Sequence, residues 1–146
     1  MLSRLQDVFK SFENHDVRYV VIGGIAAVLH GVPRSTFDLD ILIEATLENA
    51  RRLLNALRDA QFTTADLTDE QKILSHEISV FQDRVRIDVQ TKTPGLSFEQ
   101  AWKNRVRMHY NKHSFFVVSK SDLIKSKSAS GRQIDLEDAA ILKSTK

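Results

Sequence analysis

The stretch Asp38-Leu39-Asp40-Ile41-Leu42-Ile43 sets two carboxylates two residues apart at the head of an apolar run. Side chains on a strand alternate between faces, so Asp38 and Asp40 share one face while Leu39, Ile41 and Ile43 share the other. Such a strand belongs in a sheet with one covered face, and its acids stand together on the other. Just upstream, Val17 to Ile22 is a β-branched and aromatic run that stops at Gly23-Gly24, and Ile25 to Leu29 reads as a short helix ending at Gly31. This unit therefore reads as a strand, a glycine turn and a helix, followed by the acidic strand.

The remaining patterns place further elements around this unit. Leu2, Leu5, Val8, Phe9 and Phe12 recur at helical spacing and mark a first helix ending near Asn14-His15. Thr46 is placed to cap a helix reaching about Ala60, with Leu47, Ala50, Leu53, Leu54 and Leu57 as its apolar stripe. Asp66 to Leu74 shows only a helical turn. Glu77 to Phe81 and Val85 to Thr91 read as a hairpin in which Asp88 shares the polar side with Arg86 and Gln90. A short helix over Ser97 to Trp102 and a hairpin of Val106 to Tyr110 with Ser114 to Val118 follow. Two helices close the chain, one opened by a Ser119/Asp122 capping box and one over Leu136 to Leu142 after Ser130-Gly131. The expected class is α+β, a mixed or antiparallel sheet with helices packed on one side.

Composition narrows the chemistry. A chain of 146 residues, 42% apolar and 27% charged, fits one domain spanning 1–146. No cysteine is present, which removes disulfides, thiolate zinc sites and cysteine nucleophiles, and the five histidines show no metal-ligand spacing. No run approaches the roughly 18 to 20 apolar residues of a membrane span, and the opening MLSRLQDVFKSF alternates charge too closely for a secretory leader, so a cytoplasmic location without membrane contact is expected. Residues 1–100 sum to −4 and residues 101–146 to +6. A basic C-terminal third suits an anionic ligand, a nucleotide or a nucleic acid, and equally a solvated basic surface.

Gly23-Gly24, Asp38, Asp40 and the later Asp88 form the strongest constellation. Three converging carboxylates repel and raise one another's pKa unless a hard cation neutralises them, which points to Mg²⁺ or Mn²⁺. A glycine pair opening a helix leaves backbone N–H groups free for a phosphate. Together they suggest phosphoryl or nucleotidyl transfer. Weighed singly, the two acids are a charged strand edge, the glycines a tight turn, and Asp88 a cross-strand partner of an arginine. Asp135 and Asp138 read as a helix N-terminal charge pair or as salt-bridge partners of Arg132, outside the site. His30 reads as a capping or packing residue, and Trp102, Phe115 and Phe116 as core.

The glycine pair opening a helix, the Asp-x-Asp about fifteen residues on and a third Asp on a later strand resemble the nucleotidyltransferases of the DNA polymerase β superfamily, in their minimal form. The strings GGIAAVLHGVPRSTFDLDILI and KSKSASGRQIDLEDAAIL are similar to small prokaryotic proteins related to abortive-infection toxins and antibiotic nucleotidyltransferases. The resemblance implies that Asp38 and Asp40 coordinate two Mg²⁺ ions and that Asp88 holds one of them and helps activate an acceptor hydroxyl. It implies that Gly23 and Gly24 contact the β- and γ-phosphates of an NTP. Arg34, Ser35 and Thr36 would supply a cation and hydroxyls, and Lys127 and Arg132 would meet the triphosphate, with Lys125 as a lesser partner. The superfamily often has Ser where Gly24 stands.

Three function classes follow: a metal-dependent transferase moving NMP from an NTP to a hydroxyl; a non-catalytic or partner-dependent nucleotide-binding module of a toxin–antitoxin type system; and a plain nucleic-acid-binding domain, for which no recognition helix is evident. The basic third tilts the acceptor towards RNA or a protein partner. A small-molecule acceptor would need a pocket that so short a chain builds only as a homodimer.

Overall fold

In the computed structural model, which describes residues 2–145, a 3-10 turn leads into α1 (Gln6–Asn14), β1 (Tyr19–Ile22), α2 (Gly23–Leu29) and β2 (Leu39–Ile43). Then come α3 (Leu47–Asp59), a second 3-10 turn (Thr63–Leu67), α4 (Glu70–Ser75), and the hairpin of β3 (Ile78–Gln82) and β4 (Arg86–Gln90). After α5 (Phe98–Lys103), the hairpin of β5 (Val106–Tyr110) and β6 (His113–Val117) leads to α6 (Lys120–Ser130) and α7 (Gln133–Ser144). The strands form one mixed sheet of order β3-β4-β2-β1-β6-β5. β1 runs antiparallel to β2 and parallel to β6, and β2 runs parallel to β4. The class is α+β, as the strand and helix patterns predict.

Local chemistry sets the helix ends. Thr46, Asp69, Ser97 and Ser119 each accept a backbone N–H three residues on, satisfying a donor that the first helical turn leaves unpaired. Gly131 ends α6 at φ +73°. The capping box expected at Ser119 forms in one direction only. Ser119 accepts from the Asp122 N–H at 3.1 Å, while the buried Asp122 carboxylate turns to α5 and accepts from Asn104 at 3.1 Å and Gln100 at 3.4 Å. That side chain ties α5 to α6. The weakly patterned stretch 63–75 holds the second 3-10 turn and α4, short elements whose apolar anchors Ala65 and Ile73 are too few to show a period.

Both faces of the central strands are covered. Val20 and Val21 point to opposite faces and are both fully buried. On the Tyr19 face α1 packs through Phe12, whose ring lies 4.8 Å from that of Tyr19. On the other face α5 brings Trp102 beneath Arg18, the residue before β1, at 4.6 Å from guanidinium carbon to ring centroid. Phe12 is wholly buried, so truncating it to Ala would cost about 3–5 kcal/mol. The face that carries Ile22 also carries its cross-strand partner Asp40, and there the site is built.

Candidate active site

β1 passes directly into α2: Ile22 is the last strand residue and Gly23 the first helical one. Gly23 makes the turn at φ +69°, a region disfavoured for residues with a β-carbon, and it sits against β2. A β-carbon there would collide with the Asp40 carboxylate, lying 2.9 Å from its Cγ. The second glycine is needed for space. A β-carbon on Gly24 would stand 3.0 Å from Arg34 Nη2 and 3.1 Å from Thr36 Oγ1. The turn thus packs the acid of β2 on one side and the loop before β2 on the other.

Register brings the acids together. Asp40 faces Ile22 across the antiparallel pair and Asp88 across the parallel one, so both carboxylates stand side by side on one face. Burial pushes the Asp40 carboxyl up to about 7, helped by the charge of Asp88, by a hydrogen bond between the two, and by Asp38. Lys127 pulls in the opposite direction. Near neutral pH the pair therefore retains a proton unless a cation replaces it. Arg86, two residues before Asp88 on the same strand, donates Nε–H to Asp88 Oδ1 at 2.8 Å. Asp88 does have an arginine partner, on its own strand and not across it.

Asp38 departs from the expected geometry. β2 starts at Leu39, and Asp38 lies exposed at the end of the loop 32–38, reaching Asp40 by charge alone among the contacts seen. β1 ends opposite Asp40 and turns into α2, so on that side the residues before Leu39 have no strand beside them. Two acids converge here, not three, and among the described residues no group of three His, Cys, Asp or Glu side chains is close enough to hold an ion. The donor set is still all oxygen, and a half-buried pair of adjacent acids, one of them with a raised pKa, suits a hard divalent cation.

The cations come from α6 and α7. A cleft of about 450 Å³ opens beside the acids, lined by Gly23, Asp40, Asp88, Lys127, Arg132 and Asp135 among others. Its far wall is the 93–96 loop, held to α6 where Ser126 Oγ donates to the Pro94 carbonyl at 2.7 Å. Lys127 is buried, with Nζ 3.1 Å from Asp135 Oδ1 and 2.9 Å from Asp138 Oδ2. Arg132 is exposed and lies 2.9 Å from Asp135. Burial alone would raise the Asp135 carboxyl, but bonds from Ser130, Lys127 and Arg132 hold it below its ordinary value. Lys125 is exposed and directed at Gln100 of α5, 3.4 Å away.

The loop residues form a second group. Arg34 lies against Gly24 and 3.1 Å from Asp138; Thr36 also touches the Gly24 position, while Ser35 is exposed. Asp138 is the residue that sequence reasoning set aside. Its link to Arg34 spans the fold, and only the i, i+3 spacing from Asp135 hinted at a shared face. The remaining candidates behave as packing groups. His30 Nε2 bonds the Val118 carbonyl at 2.8 Å. Phe115 is buried on Phe9, and the half-buried Trp102 and Phe116 are covered by Arg18, Arg105 and Arg107.

Comparison with known proteins agrees with this architecture. A family model described as "Nucleotidyltransferase of unknown function (DUF6036)" matches residues 2–144. Among solved structures, a candidate nucleotidyltransferase from Thermotoga maritima superposes with a TM-score of 0.58 at 18% identity, covering 97% of this chain and 89% of that one. That likeness is one of fold. No curated protein matches the chain. Among the described residues no helix is long and apolar enough to cross a membrane.

Proposed function

The chain belongs to this family of nucleotidyltransferases, and from that premise we propose that it moves a nucleoside monophosphate from an NTP to an acceptor hydroxyl with release of pyrophosphate, using Mg²⁺ or Mn²⁺. The observation that carries this reading is the paired register of Asp40 and Asp88 beside Gly23, in a cleft whose other wall offers Lys127 and Arg132. Asp40 and Asp88 would hold the cation, with Asp38 as the third carboxylate once the loop end moves inward. A bound divalent ion would supply Lewis-acid stabilisation of charge on the phosphoryl oxygens and ease ionisation of the acceptor.

Each side chain has a task in that reaction. The Gly23-Gly24 turn lets phosphate oxygens approach the backbone without a β-carbon in the way. Lys127 and Arg132, with Arg34 and the Thr36 hydroxyl behind the glycines, offset charge on the β- and γ-phosphates. Ser35, exposed on the same loop, offers a further hydroxyl. Asp88, on the strand next to the outer strand β3, would take the acceptor's proton as the acceptor oxygen bonds the α-phosphorus. The bond to the bridging oxygen breaks in line and pyrophosphate leaves. The acceptor is RNA or a protein side chain, for which the open cleft and the basic C-terminal third are the support.

The Arg86–Asp88 and Lys127–Asp135 ties favour one second reading, a nucleotide-binding module that a partner must complete, as in a toxin–antitoxin type system. Equilibrium titration with each NTP, with and without Mg²⁺, tests the common ground. Metal-dependent binding that Asp40→Asn removes supports the proposal, and metal-independent binding that survives the substitution refutes it.

A further inference from the structure

The geometry points to Asp138 as a positioning residue that clamps the loop 32–38 to the α6–α7 pair, holding Arg34 and Lys127 as one cationic unit behind the triphosphate position. This deepens the proposed function and rests on it for the role of the phosphate. The clamp itself is a statement about three side chains.

Asp138 is 3% exposed, on the inner side of α7. One of its oxygens, Oδ2, lies 3.1 Å from Arg34 Nη2 and 2.9 Å from Lys127 Nζ. These cations come from segments far apart in sequence, the loop entering β2 and the middle of α6. Asp135, one turn earlier on α7, holds Lys127 and Arg132 but has no contact with Arg34. Asp138 is therefore the node through which the loop meets the helices. Two buried acids around the buried Lys127, with Arg34 half-buried beside them, are retained only when each is paired, because an uncompensated buried charge is costly.

The pairing is also incomplete. Asp138 Oδ2 and Arg34 Nε are buried without a hydrogen bond of good geometry among the described residues, so the contacts act by charge at short range and not by well-aimed bonds. An unfilled buried donor on Arg34, whose Nη2 rests against Gly24, is a feature that packing alone does not require. Asp138 does not line the cleft and acts only through its two partners. Arg34 rests on Gly24, and Lys127 lines the cleft with Gly23 and Asp40, so loss of the shared acid would disturb both sides of the glycine turn.

The test has two parts. The first is NMR of the Arg34 Nε–H and Lys127 ammonium signals. In the wild type both should exchange slowly with solvent; Asp138→Asn should accelerate both at least tenfold, while Asp135→Asn should affect Lys127 and leave Arg34 unchanged. Equal behaviour of Arg34 in wild type and Asp138→Asn would overturn the clamp, whatever the protein binds. The second is a double-mutant cycle on Mg·ATP affinity with Asp138→Asn and Arg34→Gln. Each single variant should weaken binding about tenfold and the pair by clearly less than the roughly hundredfold product, whereas losses that multiply in full would show two independent residues. If Asp138→Asn does not fold, Arg34→Gln serves instead: with one cation of the unit removed, the Lys127 ammonium should exchange severalfold faster, and Lys127 exchange equal to the wild type would overturn the clamp. Metal-dependent ATP binding that is absent from the wild type would sink the proposed function while the exchange data still judge the clamp.

Discussion

Replacing Asp40 by Asn should stabilise the metal-free protein at alkaline pH and leave it unchanged in acid. In the folded chain burial and the neighbouring Asp88 push this carboxyl from 3.8 to about 7. Between these values the unfolded chain has lost a proton that the folded chain keeps, so the wild type loses stability as pH rises from about 4 to 7 and then levels off. Each pH unit of difference corresponds to 1.36 kcal/mol, which gives an upper limit of about 4 kcal/mol above pH 8. For a chain of this length that is a rise of roughly 10 °C in Tm. Asn cannot ionise and is close in shape, so the penalty disappears with little change in packing. Urea titrations of both proteins in chelator from pH 4 to 9 measure the difference directly. A gap that opens through pH 7 is expected, and added Mg²⁺ should close it by stabilising only the wild type. A variant that is less stable than the wild type at pH 8, or a gap that ignores pH, would refute the electrostatic account of the pair.

Other outcomes follow from the same geometry. Apparent Mg²⁺ affinity, measured by calorimetry, should rise close to tenfold per pH unit below about 7 and flatten above it, because the ion must displace the proton on Asp40; a flat profile would mean that the pair is not the ligand. Arg86→Gln should strengthen Mg²⁺ binding several-fold by releasing Asp88, and weaker binding would show that Arg86 supports the site. Gly23→Ala should cost about 2–3 kcal/mol from its positive φ and the clash with Asp40, read as a lower urea midpoint, with NTP binding lost as well. Lys127→Met, which removes the buried cation shared by Asp135 and Asp138 and leaves them Arg132 and Arg34, should destabilise by about 2–3 kcal/mol, and a neutral outcome would mean that the buried cluster reorganises freely.

How much of this was legible in the sequence depends on how far each interaction reaches. The strands, the Thr46 and Ser119 caps and the Gly131 stop follow from alternation and turn chemistry within a few residues, and they appear close to where expected. Asp40 and Asp88 were each visible on the polar side of a strand, but their adjacency depends on β2 pairing in parallel with β4, which no local pattern encodes. Asp38 looked equivalent to Asp40 by period, and the early end of β1 is what separates them. Asp138 was read as a helix N-terminal charge or a partner of Arg132 because its actual partners lie on the α6 face and in the loop before β2, where only helix packing brings them within 3.1 Å. Sequence spacing reveals neighbours along an element, and the buried charge cluster is a neighbourhood between elements.

The central claim is nucleotidyl transfer at the Asp40–Asp88 pair, and the most direct measurement follows the label. The purified protein is incubated with Mg²⁺ or Mn²⁺ and each NTP labelled at the α- or the γ-phosphate, with cellular RNA or lysate as acceptor, beside Asp40→Asn and Asp88→Asn. The account predicts that α-label alone reaches a macromolecule, that pyrophosphate appears in equal amount, and that both variants are inactive. Transfer of the γ-label, or α-label transfer that persists in the two variants, would contradict it.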